Sequence, residues 1–287
     1  MKITLFNAVR CCRDTMAKGR PMISEGDLKL SESLKKIEHV IIVISGKGGV
    51  GKSTVSSNLA MSLAMNGFRT GIMDVDIHGP NIPKMLGLED AQLAVENGKL
   101  IPVVAANGLK VMSMAFLLPE KDAPVAWRGP VKMGAIRQFI EDVAWNELDY
   151  LVIDMPPGTG DEALSIIQLI PKADGMIVVT TPQDVALLDS RKSIVFSATA
   201  KIPIIGLIEN MSGFICPHCN ERIDIFKTGG GERTATEMGI QFLGRIPLEP
   251  GIVTSGDSGT PAVISSPDSG SAKAFMEIAD KVVRTIG

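Results

Sequence analysis

The sequence predicts an α/β fold, a mostly parallel β-sheet with helices on both faces. Three observations carry this. Apolar, β-branched runs of strand length recur along the chain. Segments with apolar residues at helical spacing separate them, and such alternation returns each strand parallel to its predecessor. The first run also leads into a glycine-rich turn, Gly46-Lys47-Gly48-Gly49-Val50-Gly51-Lys52-Ser53-Thr54, that opens directly onto a helical pattern.

In chain order, residues 1–38 read as a polar extension with a short helix near 28–37, and residues 39–287 as one domain. Strands are expected at 40–45, 70–74, 109–114, 150–154, 176–180, 204–209 and 242–246. Val40-Ile41-Ile42-Val43-Ile44 is apolar without alternation, the mark of a strand covered on both faces. Helices are expected at 53–66, 131–144, 161–170, 184–200, 231–238 and 271–285. In the first of these Val55, Leu59, Ala60, Leu63 and Ala64 share a face; in the last, Phe275, Ile278, Val282 and Ile286 do. The stretch 255–271 is rich in Gly, Ser and Pro and reads as a surface loop.

Composition narrows the function. The 287 residues are 45% hydrophobic with a net charge of −3, which leaves no basic field for non-specific nucleic-acid binding. Aromatics are 4%, too few for a base-stacking platform. No apolar run approaches the roughly 20 residues of a membrane span, and the N-terminal stretch lacks the apolar core of a secretory signal. The expectation is a cytoplasmic protein with neither nucleic acid nor membrane as partner. Its final helix sets Lys273, Lys281 and Arg284 against Glu277 and Asp280, which suits packing on a core better than lying on lipid.

The turn fits the phosphate-binding pattern G-x-x-x-x-G-K-[ST]. Glycines let backbone N–H groups curl around phosphates, and the helix N-terminus beyond favours anions. Lys52 is placed to reach the β- and γ-phosphates of ATP, and the Ser53 hydroxyl to ligate Mg²⁺. Further on, Asp74 and Asp76 end one strand on the same side, and such carboxylates suit Mg²⁺-bound waters and an attacking water, or simply a turn. Tyr150-Leu151-Val152-Ile153-Asp154 is a strand ending in an acid that would hold Mg²⁺ through water. The segment from Met155 to Asp161, with Gly158 and Gly160, has the make-up of a loop that responds to a γ-phosphate. Asn210 ends another strand; its amide suits an adenine edge or a turn.

Cys216-Pro217-His218-Cys219 supplies two thiolates at chelating spacing, half of a four-ligand site. A two-fold dimer would supply four, enough for a 4Fe–4S cluster or a bridging Zn²⁺; a redox dithiol is the third reading. Cys11-Cys12 are adjacent and make a poor chelate, so they stand outside the site.

These strings together carry a resemblance. GKGGVGKST resembles the deviant phosphate-binding loop of the MinD/ParA class of P-loop NTPases. From about residue 37 to 287 the chain is similar to the Mrp/ApbC iron–sulfur carriers, through HVIIVISGKGGVGKST, GIMDVDIHGPNIP, VAWRGPVK, LDYLVIDMPPGTGD, IENMSGFICPHC and the GGGE segment near Gly229. The resemblance implies an ATP-hydrolysing homodimer in which Lys47 reaches the partner's nucleotide, Asp76 orients the hydrolytic water with Asp74 on Mg²⁺ waters, and Asn210 contacts adenine. It also implies that Cys216 and Cys219 bridge a 4Fe–4S cluster between two subunits. The cluster would come from a donor and pass to apo-proteins. Relatives with a spaced four-cysteine motif at the N-terminus differ from this chain. Trp127-Arg128-Gly129-Pro130 matches without a chemical role. Two other functions compete: a MinD/ParA-type positioning ATPase, and a zinc-bridged regulatory ATPase dimer.

Overall fold

Strand β1 (Ile37–Ser45) is continuously apolar from Val40 to Ile44 because that part lies at the centre of the sheet. Val40, Ile42 and Ile44 point into one core, while Ile41 and Val43 point into another on the opposite face. All five are essentially inaccessible to solvent, and burying each such side chain contributes about 1.5–3 kcal/mol. The computed structural model describes residues 34–117, 129–170, 172–216, 218–219 and 221–287, and the backbone alone at 129–132.

The remaining main strands are β2 (Thr70–Asp74), β5 (Val103–Val104), β6 (Lys110–Ser113), β7 (Leu148–Asp154), β8 (Gly175–Thr180), β9 (Ile204–Glu209) and β12 (Phe242–Arg245). Their order across the sheet is β12-β9-β8-β1-β7-β2-β6-β5, parallel throughout except for β5 on β6. Two small hairpins stand outside it: β3 (Ala94–Glu96) with β4 (Lys99–Ile101), and β10 (Phe214–Ile215) with β11 (Arg222–Ile223).

On one face pack α1 (Lys52–Met65), α2 (Ile82–Met85), α7 (Pro250–Asp257), α8 (Ala262–Ser265) and α9 (Gly270–Ile286). The other face carries α3 (Gly129–Glu141), α4 (Asp161–Gln168), α5 (Asp184–Ala200) and α6 (Gly230–Met238). The sheet strands after β1 are laid on one side of it up to β7 and on the other from β8 onward, and this switch puts a crevice at the carboxyl ends of the central strands, where ligands of such sheets bind.

All seven expected strands and all six expected helices are present. Residues 255–271 differ from expectation. They hold the end of α7 and the whole of α8, with Ala262 and Val263 buried, because the Pro/Ser/Gly content marks turns between short helices rather than one loop. The short hairpins and α2 were missed because elements of two to four residues carry too few positions to show a period. Leu34 and Ile37 are buried against the core, and β1 begins at Ile37, three residues before the expected start. Most of the expected 28–37 helix, together with Cys11, Cys12, Trp127 and Arg128, lies outside the described residues. Helix α9 places Phe275, Ile278 and Val282 in the core, with Ser269 capping its start by accepting from Ala272 N–H. Among the described residues no helix is long and apolar enough to cross a membrane.

Candidate functional site

The loop between β1 and α1 needs glycine at two places for different reasons. Gly51 caps α1 with φ of 81°, a left-handed backbone, and the Asn210 amide occupies the space a Cβ would need. Gly46 lies directly against the backbone carbonyl of Asp189 in the second turn of α5, so a side chain there would collide. Gly48, by contrast, faces open space.

Lys52 opens α1 and is 6% exposed. Its Nζ donates to Asp154 Oδ2 at 2.7 Å and to Ser53 Oγ at 3.3 Å. The Ser53 hydroxyl donates to the same Asp154 oxygen at 2.7 Å. One helical turn on, Ser56 Oγ donates to Asp154 Oδ1 at 2.6 Å. Asp154 therefore gathers the lysine and hydroxyl that the sequence assigns to phosphate and Mg²⁺. A fully buried carboxylate is tolerable only with such donors.

Register explains the second carboxylate. Asp74 is paired across the sheet with Asp154 on one side and Ser113 on the other. Asp74 Oδ2 accepts from Ser113 Oγ at 2.9 Å, and Oδ1 from the Asp76 N–H at 3.1 Å. Burial, and next the negative charge of Asp154, push the Asp74 carboxyl up to about 8 from its ordinary 3.8. Asp76 is 7% exposed, and its Oδ1 accepts the N–H groups of His78 at 3.1 Å and Gly79 at 3.3 Å, a turn-forming geometry. The turn reading of Asp76 is therefore met by one oxygen, and its backbone N–H joins it to Asp74.

Two buried carboxylates on adjacent strands, next to a serine hydroxyl, form a donor set that fits Mg²⁺ completed by phosphate oxygens and water. A cation there would offset the cost that burial, and next the charge of Asp154, place on an ionised Asp74. Gly158, with φ of 98°, donates its N–H to Ser45 O at 2.9 Å, tying the loop after β7 to the end of β1. Lys47 is half-buried, has no ion pair among the described residues, and its carbonyl accepts from Ser45 Oγ at 2.9 Å.

Asn210 is buried at the end of β9, and its Nδ2 donates to Val50 O at 3.0 Å. It therefore braces the phosphate loop, a role the sequence reading missed because the two residues are far apart in the chain. It also lines a cavity of about 310 Å³ with Thr54, Met211, Pro247, Leu248 and Ile252. The cavity's apolar walls beside an amide edge fit a planar heterocycle.

Beyond Asn210 the chain enters the β10–β11 hairpin, whose tip carries the cysteines. Its root is fixed to the sheet by Leu248 N–H donating to Gly213 O at 2.8 Å, and its tip is closed by Cys216 N–H donating to Glu221 O at 2.9 Å. Both thiols are free, Cys216 half-buried and Cys219 exposed. The Cys219 N–H, then the His218 N–H and the Cys219 thiol, hydrogen-bond to Cys216 sulfur and hold its pKa below the ordinary 9.0. No group of three or more His, Cys, Asp or Glu among the described residues is arranged to hold a metal ion. His218 and His78 do not complete a site with the thiols there. Ile215, Ile223 and Ile225 around the hairpin are 61%, 45% and 54% exposed.

Comparison with known proteins follows the same lines. The family model described as "ParA: NUBPL iron-transfer P-loop NTPase" matches residues 36–283. The iron-sulfur cluster carrier protein of Methanocaldococcus jannaschii is 50% identical over 275 residues, 96% of this chain and 93% of that protein. That of Saccharolobus solfataricus is 49% identical over 271 residues, 94% and 92%. Among solved structures, a nucleotide-binding protein from Archaeoglobus fulgidus in complex with ADP superposes with a TM-score of 0.72 at 41% identity, covering 81% of this chain and 91% of that one. The cell division ATPase MinD of Pyrococcus furiosus has a TM-score of 0.66 at 24% identity, covering 86% and 99%, a likeness of fold.

Proposed function

The chain belongs to the ParA family of P-loop NTPases, in its NUBPL iron-transfer group, and from that premise we propose that it is an ATP-hydrolysing iron–sulfur cluster carrier working as a homodimer. The cargo is a 4Fe–4S cluster held by Cys216 and Cys219 of two copies, received from a donor and passed to apo-proteins. One observation carries this: the chain offers two thiols at chelating spacing on an exposed, isoleucine-flanked hairpin, and among the described residues no further ligand is gathered beside them. A second copy supplies the missing two thiolates and covers the exposed Ile215, Ile223 and Ile225.

The ATP half of the reading rests on the loop. The N–H groups of residues 46–53 and Lys52 bind the phosphates, with Lys52 leaving Asp154 for the triphosphate. Ser53, with Asp154 and Asp74 through water, would hold Mg²⁺, which neutralises charge on the β- and γ-oxygens. Asp76 orients the attacking water, Lys47 reaches the nucleotide of the other copy, and Asn210 meets the adenine edge. The ADP complex of the Archaeoglobus relative supports the nucleotide part.

Anaerobic reconstitution with iron and sulfide tests the cargo site. The expected result is cluster bound by a dimer, with uptake lost in Cys216→Ser and Cys219→Ser. Equal iron in wild type and both variants overturns it. Zinc in place of iron in anaerobically purified protein would instead favour a zinc-bridged dimer, which the same four thiolates suit.

A further inference from the structure

Five consecutive residues, 209–213, join the phosphate loop to the thiol hairpin, and two of them have no part in the mechanism above. Glu209 is a carboxylate with no solvent exposure at the end of β9. Its Oε1 accepts from Ser212 Oγ at 2.5 Å and from Gly229 N–H at 2.9 Å. Its Oε2 accepts from Gly231 N–H, and Arg245 Nε stands 3.6 Å from Oε1. A buried charge with this many donors positions whatever it holds. It holds the root of the hairpin, through Ser212, and the start of α6, through Gly229 and Gly231.

The neighbouring residue holds the other site. Asn210 donates to Val50 O and fills the space over Gly51. Met211 then turns with φ of 57° and Gly213 with φ of 80°, and between them Ser212 N–H donates to Ile246 O at 2.9 Å. The Ser212 hydroxyl also meets Thr228 Oγ1 at 3.0 Å, and Thr228 accepts from Arg222 Nη2 at 3.2 Å. Arg222 lies opposite Ile215 in the hairpin, one residue before Cys216.

We propose that Glu209 and Ser212 are positioning residues that transmit the state of the phosphate loop to Cys216 and Cys219 within one chain. The contact of Gly51 with Asn210 leaves no slack, so a loop that rearranges around phosphates must move Asn210 or break its bond to Val50. Asn210 lies on the backbone between Glu209 and Ser212, and their hydrogen bond sets the hairpin root. Nucleotide thereby biases the thiol pair without a second subunit, a coupling free energy between two sites. The biological meaning rests on the cargo reading of the cysteines; the test does not.

The test is the rate of iodoacetamide alkylation at Cys216 and Cys219, resolved by peptide mass, in reduced, metal-free protein with and without Mg–ADP or a non-hydrolysable Mg–ATP analogue. In the wild type nucleotide changes the rate by about fivefold or more, the scale of ordinary site–site coupling, and the ratio is independent of protein concentration. Ser212→Ala brings the ratio close to one while nucleotide affinity is retained, Ser212→Thr restores it, and Glu209→Gln loses it. A purely structural role would change stability and leave the ratio alone. The inference is overturned if wild-type rates ignore nucleotide, if Ser212→Ala keeps the wild-type ratio, or if the ratio grows with protein concentration as association of two copies demands. Failure of the cargo reading shows separately, as iron uptake that survives loss of the cysteines.

Discussion

Lys52, Asp154 and Asp74 are 6%, 0% and 0% exposed, whereas Cys219 is exposed and Ile215, next to Cys216 in the chain, keeps 61% of its surface. Both regions stand at the carboxyl edge of one sheet. At the phosphate end each polar atom of Asp154 and Asp74 has a donor from the same chain, fixed by strand register and by one helical turn. At the thiol end the hairpin has a firm root, and among the described residues no third ligand joins Cys216 and Cys219. Backbone N–H groups and Lys52 of one chain can hold phosphates, and the role proposed for Lys47 adds to that site from a second copy; a four-thiolate site built on a two-cysteine hairpin cannot even begin to close without one.

The most forceful way to test that contrast acts on the phosphate end alone. Asp76→Asn is expected to slow ATP turnover by about 10²- to 10⁴-fold, the usual worth of a group that handles the proton or water in the transition state, with nucleotide affinity retained in calorimetric titration. Lys52→Ala should cost about 2–5 kcal/mol of nucleotide affinity, the loss typical of truncating a buried charged partner. Iron loading at the hairpin should survive it, and joint loss would mean the two regions are one site. Ile215→Asp acts on the thiol end. It should weaken dimer formation and cluster retention by about 1–2 kcal/mol, as for an apolar interface residue. Folded-state stability should move by no more than about 0.5 kcal/mol, because the side chain is exposed; analytical ultracentrifugation of reconstituted protein reads the first and thermal melting the second.

The smallest effect concerns the charge stored at the phosphate end. Asp74 holds its proton up to about pH 8 in the folded protein, against 3.8 ordinarily. Between those values the native state binds a proton that the unfolded chain has released, so nucleotide-free stability falls as pH rises across that window and levels off above it. Asp74→Asn removes the group, and Tm should become flatter over that range, higher than wild type by a few degrees at pH 8. A wild-type Tm that does not fall between pH 5 and pH 8 relative to the variant would remove the argument that burial, and next Asp154, hold a proton on Asp74.

The central motif was legible because its information is local. An apolar run, a glycine turn and a helix pattern follow one another within thirty residues, and the physics of a covered strand and a phosphate-binding turn needs nothing distant. The cysteine spacing was legible for the same reason. Ser56 was within reach too, since it lies four residues after Lys52 and so on the same helix face. Ser113 was not: it serves Asp74 only because β6 pairs with β2 at that register. Residues 255–271 were misread because short helices punctuated by Pro and Gly look like a loop until Ala262 and Val263 are seen in the core.

By itself, then, the sequence determined the alternation of strands and helices, the phosphate loop with Lys47 and Lys52, the acids that end their strands, and the chelating spacing of Cys216 and Cys219. Each depends on side-chain type and on spacing within a single element. Only the tertiary structure decided that Asp154 gathers Lys52, Ser53 and Ser56, and that Asp74 lies beside Asp154. It alone seated Asn210 on Val50, and it alone turned the unremarked Glu209 into the anchor of the hairpin root. Those contacts join residues up to 160 positions apart. They arise from which strands become neighbours, a choice made by burying both faces of the whole sheet, and no local period records it.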